Sequence, residues 1–262
     1  MDIPVSDSPC CERYLDLLQK SLTGTLFRPE PDIDHADRAV YMASLYDHYI
    51  RGSAVTMLPL RRLENLRGCV REILEADIPG DLIETGVWRG GATIFMRALL
   101  AVYDDRNRTV WVADSFEGLP EPDAARFPKE SASYHHPIVQ RHSKKLAVGL
   151  EEVQANFKSY GMLDERVHFL KGWFKDTLPT APVDRLALMR LDGDYYESTM
   201  DALTSLYDRL SVGGVVIIDD YGEDEWTHCR QAVDEFRSAR GIDDPLIRVD
   251  SKCCWWRRQA AR

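Results

Sequence analysis

Residues 188–196, Leu-Met-Arg-Leu-Asp-Gly-Asp-Tyr-Tyr, and residues 215–221, Val-Val-Ile-Ile-Asp-Asp-Tyr, are two short apolar runs that each end abruptly in acid. Between them, Glu197 to Arg209 carries Met200, Leu203, Leu206 and Tyr207 at helical spacing. The pattern predicts strand, helix, strand, and parallel neighbours point their carboxyl ends to the same sheet edge, where open α/β sheets keep their ligands. Asp192, Asp194, Asp219 and Asp220 gather there, with no Lys or Arg within either acidic cluster. Carboxylates so crowded repel one another unless a hard cation sits among them, and oxygen-only ligation favours Mg²⁺ or Mn²⁺ over zinc. One acidic strand end is an ordinary turn or helix cap. Two on consecutive strands predict a metal site.

Length and charge narrow the rest. A chain of 262 residues suits one large α/β domain. The formal charge of −10 argues against a sequence-independent grip on nucleic acid, which needs a basic face, and against an anionic membrane. The cysteines, at 10, 11, 69, 229, 253 and 254, include no C-x-x-C and spell neither a zinc knuckle nor a redox pair. There is no apolar run of membrane-spanning length and no basic-then-apolar leader, so a cytoplasmic location is expected.

In chain order, Arg13 to Phe27 predicts an N-terminal helix, followed by a breaker-rich linker at 28–35. Asp37 to Arg51 predicts a second helix rich in tyrosine, with a lid as the alternative to simple packing. Pro59 to Ala76 predicts a third. Residues 1–58 are therefore read as a helical extension or lid, and 59–262 as the main domain. Asp81-Leu-Ile-Glu-Thr-Gly-Val-Trp-Arg-Gly-Gly-Ala92 reads as a strand entering a glycine-rich turn and then a helix to Tyr103. Glycines at 86, 90 and 91 would let backbone amides approach a ligand, although such turns also serve packing. The turn departs from G-x-G-x-x-G, and Glu84 would repel a pyrophosphate while suiting an ammonium or sulfonium charge.

Thr109 to Asp114 predicts the next strand, with Asp114 placed to accept ribose hydroxyls. A polar insert then runs to Lys145 and carries His135, His136 and His142, read in preference as solvated loop residues. Helix Leu146 to Tyr160, strand Arg166 to Leu170, and the Lys171-Gly-Trp-Phe174 segment follow, the last facing the same edge; Trp173 could stack on a base or join the core. Trp226 to Arg240 predicts a helix, and Pro245 to Val249 with Cys253 to Trp256 a closing hairpin. The sum is a mainly parallel sheet with its last strand inserted antiparallel.

Glu84-Thr-Gly-Val-Trp-Arg-Gly-Gly91, Ala113-Asp-Ser-Phe-Glu-Gly-Leu-Pro120, Gly172-Trp-Phe-Lys-Asp-Thr177, Leu191-Asp-Gly-Asp-Tyr-Tyr196 and Ile217-Ile-Asp-Asp-Tyr221, in this order, resemble the macrocin O-methyltransferase family. The likeness spans about Arg13 to Arg258. It implies a class I S-adenosylmethionine-dependent methyltransferase fold of the Rossmann-like type, acting on deoxysugar hydroxyls of antibiotics. It also implies Mg²⁺ held by Asp192, Asp219 and Asp220, and cofactor contacts at Glu84, Thr85, Gly86, Gly90, Ala92, Asp114, Ser115, Gly172 and Trp173. Thr56 and Met57 match a Thr-Met that the resemblance places over the methionine end of the cofactor.

A sugar hydroxyl is a poor nucleophile at neutral pH, and a cation chelated by two neighbouring hydroxyls would stabilise the developing alkoxide. Asp194, two residues past Asp192, is placed to take the proton, with helix capping as its ordinary alternative. The expected partner is a small glycoside bearing a sugar diol, with no nucleic acid or membrane, and a homodimer is the assembly considered. Rival readings are a metal-dependent nucleotide-sugar glycosyltransferase, an aspartyl phosphohydrolase, and a catalytically silent binding module of the same fold. The spacing of the acidic strands and the Glu84 turn count against the first two, and the intact acids against the third.

Overall fold

The computed structural model describes residues 8–30, 46–50, 52–136, 140, 144–222 and 227–259. Five parallel strands carry the sheet: β1 (Asp81–Thr85), β2 (Val110–Asp114), β3 (Val167–Lys171), β4 (Leu186–Leu191) and β5 (Leu210–Ile218). A hairpin of β6 (Ile247–Arg248) and β7 (Cys254–Arg257) completes it, giving the order β3-β2-β1-β4-β5-β7-β6 with β7 antiparallel to β5. The expected antiparallel insertion of the last strand is what the structure has. Every residue of β4 is buried, because the strand lies mid-sheet with helices on both faces.

Alternation along the strands sorts side chains into two cores. Leu82, Leu188 and Val215 face one, and Ile83, Met189 and Val216 the other. The first core is covered by α1 (Pro9–Leu22), α2 (Leu60–Glu75), α3 (Gly91–Val102) and, beyond the short α4 (Pro128–Tyr134), α5 (Leu150–Ser159). After the single-turn α6 (Phe174–Thr177), α7 (Tyr196–Leu206) and α8 (Thr227–Ala239) cover the second.

Several boundaries differ from expectation for local reasons. Helix α1 begins early because Ser8 Oγ accepts from the Cys11 amide at 3.3 Å and Pro9 opens the first turn. It stops at Leu22 rather than Phe27, since Gly24 adopts a left-handed φ of 71°. Leu26 and Phe27, within the expected helix, lie past its end and are exposed. Leu15, Leu18 and Leu22 join the same core as α2 and α3, and Leu22 O accepts from the Val55 amide at 2.7 Å. Residues 37–45 of the expected second helix, like His142 and Trp226, lie outside the described residues; Tyr46–Ile50 forms one π-helical turn.

Candidate active site

β1 has β2 on one side and β4 on the other, so chain direction through the sheet reverses between β1 and β4. A cleft opens above the carboxyl ends of these strands. Its volume is about 420 Å³, within the range of small-molecule sites. One side is formed by Met57, Gly86, Trp88, Asp114, Ser115 and Trp173, and the other by Asp192, Gly193, Asp194, Tyr195, Glu197 and Ser198. The two sequence signals, glycine turn and acidic strand end, thus meet in one space.

On the first side, Asp114 ties the turn after β1 to the turn after β2. Its Oδ2 accepts from the Val87 amide at 2.8 Å and its Oδ1 from the Phe116 amide at 2.7 Å. Burial pushes this carboxyl up, and these backbone donors pull against that shift. Ser115 Oγ donates to Gly118 O at 2.9 Å, and the Gly172 amide to Asp114 O at 2.9 Å. The glycines are required chiefly by the protein's own packing. Gly86 has φ 82°, and a Cβ there would stand 1.8 Å from Asp192 O. A Cβ at Gly90 would meet Val153 at 2.8 Å, and one at Gly91 would meet Val55 O at 2.6 Å. Of these three, only Gly86 faces the cleft. Thr56, Thr85 and Ala92 are buried behind the wall. Thr56 Oγ1 accepts from the Leu58 amide at 3.2 Å, which leaves Met57, 37% exposed, over the opening.

Glu84 stands apart from the cleft. It is 1% exposed and pairs through Oε1 with Arg190, its neighbour on β4, while Oε2 has no hydrogen-bond partner among the described residues. Burial raises its carboxyl to about 7 despite that arginine. The absence of a balancing cation, inferred from each acidic cluster read by itself, is therefore corrected. Arg190, two residues before Asp192, donates to Glu84, to Asp192 Oδ2 at 3.2 Å, and to Asp219 Oδ1 at 2.5 Å. Arg62 of α2 donates to Asp219 Oδ2 at 2.7 Å and embraces Asp250 at 2.7 and 2.9 Å. Both oxygens of Asp219 thus lie on guanidinium groups. Neither arginine was singled out by the sequence reading, yet a charge inside the run Leu188-Met-Arg-Leu191 was the available signal.

The carboxylates that converge are Asp192, Asp194 and Asp220, with one oxygen of each within 4.8 Å of the others. Desolvation pushes Asp192 and Asp220 well above the usual carboxylate range, reinforced for Asp192 by the charge of Asp219 and for Asp220 by that of Asp194. Asp194 takes a left-handed φ of 58°, and its amide donates to Asp220 Oδ2 at 3.1 Å. That conformation is costly for a residue other than glycine and places Asp194 over the ends of both strands. It does not cap α7, whose N-cap is Tyr195. An all-oxygen set of mutually repelling, partly desolvated groups fits a small hard cation.

Of the histidines of the insert, the two described ones do not line the cleft. His135 and His136 are exposed, and His135 Nε2 lies 3.1 Å from Glu121 Oε1. Glu130 of α4, in contrast, enters the cleft wall unanticipated.

The fold is that of the class I S-adenosylmethionine-dependent methyltransferases, a sheet architecture shared with a calicheamicin methyltransferase, CalS11, at TM-score 0.59 and 22% identity over 96% of this chain and 93% of that one. Within that class, the sequence profile of the macrocin-O-methyltransferase family matches residues 47–258, and the chain belongs to that family of O-methyltransferases. It is 47% identical to the demethyldecarbamoylnovobiocin O-methyltransferase of Streptomyces niveus over 94% of this chain and 93% of that protein. It is 49% identical to the 8-demethyl-8-(2,3-dimethoxy-alpha-L-rhamnosyl)-tetracenomycin-C 4'-O-methyltransferase of Streptomyces olivaceus, over 95% and 93% of the two chains. The mycinamicin III 3''-O-methyltransferase of Micromonospora griseorubida is 44% identical, over 98% of this chain and all of that one (100%). The solved O-methyltransferase NovP superposes with TM-score 0.81 at 47% identity, covering 95% of this chain and 99% of that one. The glycosyltransferase, phosphohydrolase and silent-module readings give way to this membership.

Proposed function

We propose that the protein transfers a methyl group from S-adenosylmethionine to a deoxysugar hydroxyl of a glycosylated secondary metabolite, with Mg²⁺ at the acidic edge. The observation that carries this reading is a cleft lined by Asp192 and Asp194 as well as by Asp114, Trp173 and Met57, with a carboxylate oxygen of Asp220 within 4.8 Å of those of the first two. Relatives at 44–49% identity are named for O-methylation of demethyldecarbamoylnovobiocin, of a rhamnosyl-tetracenomycin and of mycinamicin III, and the rhamnosyl group in the second name supports a sugar as acceptor. No described helix is long and apolar enough to cross a membrane. The setting proposed is the cytoplasm, with a small glycoside as partner and a homodimer as the assembly to test.

When bound, S-adenosylmethionine supplies an electrophilic sulfonium methyl, and Mg²⁺ stabilises negative charge on the sugar oxygen. Met57, Gly86, Asp114, Ser115 and Trp173 would touch the cofactor. Thr56, Glu84, Thr85, Gly90, Ala92 and Gly172 would shape the wall behind it. Asp192 and Asp220 would hold the cation. Asp219, the third ligand that the resemblance implies, would have to exchange an arginine for the ion. Asp194, already beside both acids, accepts the hydroxyl proton as general base. The protein otherwise acts by orienting oxygen and methyl in line and excluding water.

The test is an incubation of S-adenosylmethionine carrying a labelled methyl with demethyl glycosides, the label being sought on sugar oxygen. Metal titrations assign the acids. Asp194→Asn should lose about 10²–10⁴ in turnover even at saturating Mg²⁺, whereas Asp192→Asn should be limited first by metal affinity. Label on an aglycone hydroxyl, or Asp194→Asn turning over at the wild-type rate, would contradict the acceptor and the base respectively.

A further inference from the structure

Glu130 lies in α4, within the insert between β2 and β3, and is 3% exposed although it lines the cleft. One of its oxygens is accounted for: Oε1 accepts from the Tyr196 amide at 3.0 Å, at the start of α7 and two residues past Asp194. The other, Oε2, is buried without a hydrogen-bond partner among the described residues. A carboxylate oxygen withdrawn from water and left unmet incurs its full desolvation cost, so such an atom in a cleft wall marks the place of a missing donor. Anchoring to Tyr196 fixes that place beside the loop that bears Asp194.

We propose that Glu130 is a substrate-recognition residue, whose Oε2 accepts a hydrogen bond from a sugar hydroxyl other than the one methylated. This rests on the sugar O-methyltransferase reading above. A site built to accept a hydroxyl donor discriminates strongly against the analogue lacking it, because the acceptor is then left unpaired. The anchor to Tyr196 also couples that recognition to the loop bearing Asp194, so the insert would set which ring position reaches the base.

The experiment compares wild type, Glu130→Gln and Glu130→Ala on an aryl rhamnoside and its monodeoxy analogues, with thermal unfolding as the folding control. Glu130→Gln keeps an oxygen for the Tyr196 amide and replaces the second acceptor by a donor. It should raise KM for the parent rhamnoside about tenfold or more, the worth of a hydrogen bond to a charged group, with kcat less affected. On the one analogue lacking the recognised hydroxyl, wild type should already be impaired and the substitution should add no further loss. Glu130→Gln at wild-type KM on every sugar, or an equal loss on all of them, would reduce Glu130 to a structural anchor and overturn the proposal. If wild type leaves the rhamnoside unmethylated while binding S-adenosylmethionine, the sugar reading fails first and takes this proposal with it.

Discussion

Arg190 holds the acidic edge together, since its one guanidinium meets Glu84, Asp192 and Asp219 while being 1% exposed. Removing one member of a buried charge cluster leaves the others uncompensated, which costs more than the pairs ever contribute. Arg190→Met should therefore destabilise the protein by about 3–5 kcal/mol, measured by denaturant unfolding. Adding Glu84→Gln to it should recover part of that loss; full stability of the single variant would show that the acids are already neutral. Asp250 gives a pH-dependent case. Burial raises its carboxyl, but the two-point contact with Arg62 outweighs this and holds it below the usual range. A depressed folded value contributes stability above the unfolded value and loses it as pH falls through the folded one. The gap in unfolding free energy between wild type and Asp250→Asn should thus be full at neutral pH and shrink below about pH 4. A gap independent of pH would mean that packing, rather than charge, is lost.

At the scale of elements, the turn after β1 and the acidic end of β4 are built against each other through Gly86, where a Cβ would stand 1.8 Å from Asp192 O. Gly86→Ala should lower both stability and turnover, the first by about 1–3 kcal/mol for a side chain forced into a left-handed, crowded position. Unfolding and kinetic measurements check this, and a variant with normal turnover would uncouple the turn from the acid loop. The strands were legible because alternation and strand-end acids are local signals: Leu188 to Leu191 and Val215 to Ile218 lie in β4 and β5 as read, although β5 begins at Leu210. What stayed illegible is non-local. Nothing near Asp219 in the chain announces Arg62, 157 positions away, and nothing near Asp194 announces Glu130, brought in by an insert with no periodicity of its own. The glycines were legible as a turn, but Gly90 and Gly91 prove to be needed for contact with α5 and with Val55. Helix α1 was misjudged at its end because apolar spacing continued past the glycine that stops it.

Across the whole molecule, the sheet brings two separately encoded features to one cleft, a turn suited to a cofactor and an acidic edge suited to a cation. The first side depends on Asp114, whose carboxylate already braces Val87 and Phe116. Asp114→Ala should therefore weaken S-adenosylmethionine binding by about 1–3 kcal/mol by calorimetry and also lower the unfolding midpoint, since brace and contact are lost together. Unchanged affinity would remove Asp114 from the cofactor's surroundings. The central claim is that chemistry on the sugar oxygen needs the cation at the acidic edge. Its most direct test is the single-turnover rate of methyl transfer to an accepted demethyl glycoside at saturating S-adenosylmethionine, after exhaustive chelation and again after adding Mg²⁺. The account predicts loss of transfer in the metal-free protein, restoration by Mg²⁺, and no restoration in Asp192→Asn; an undiminished rate in the chelated enzyme would contradict it.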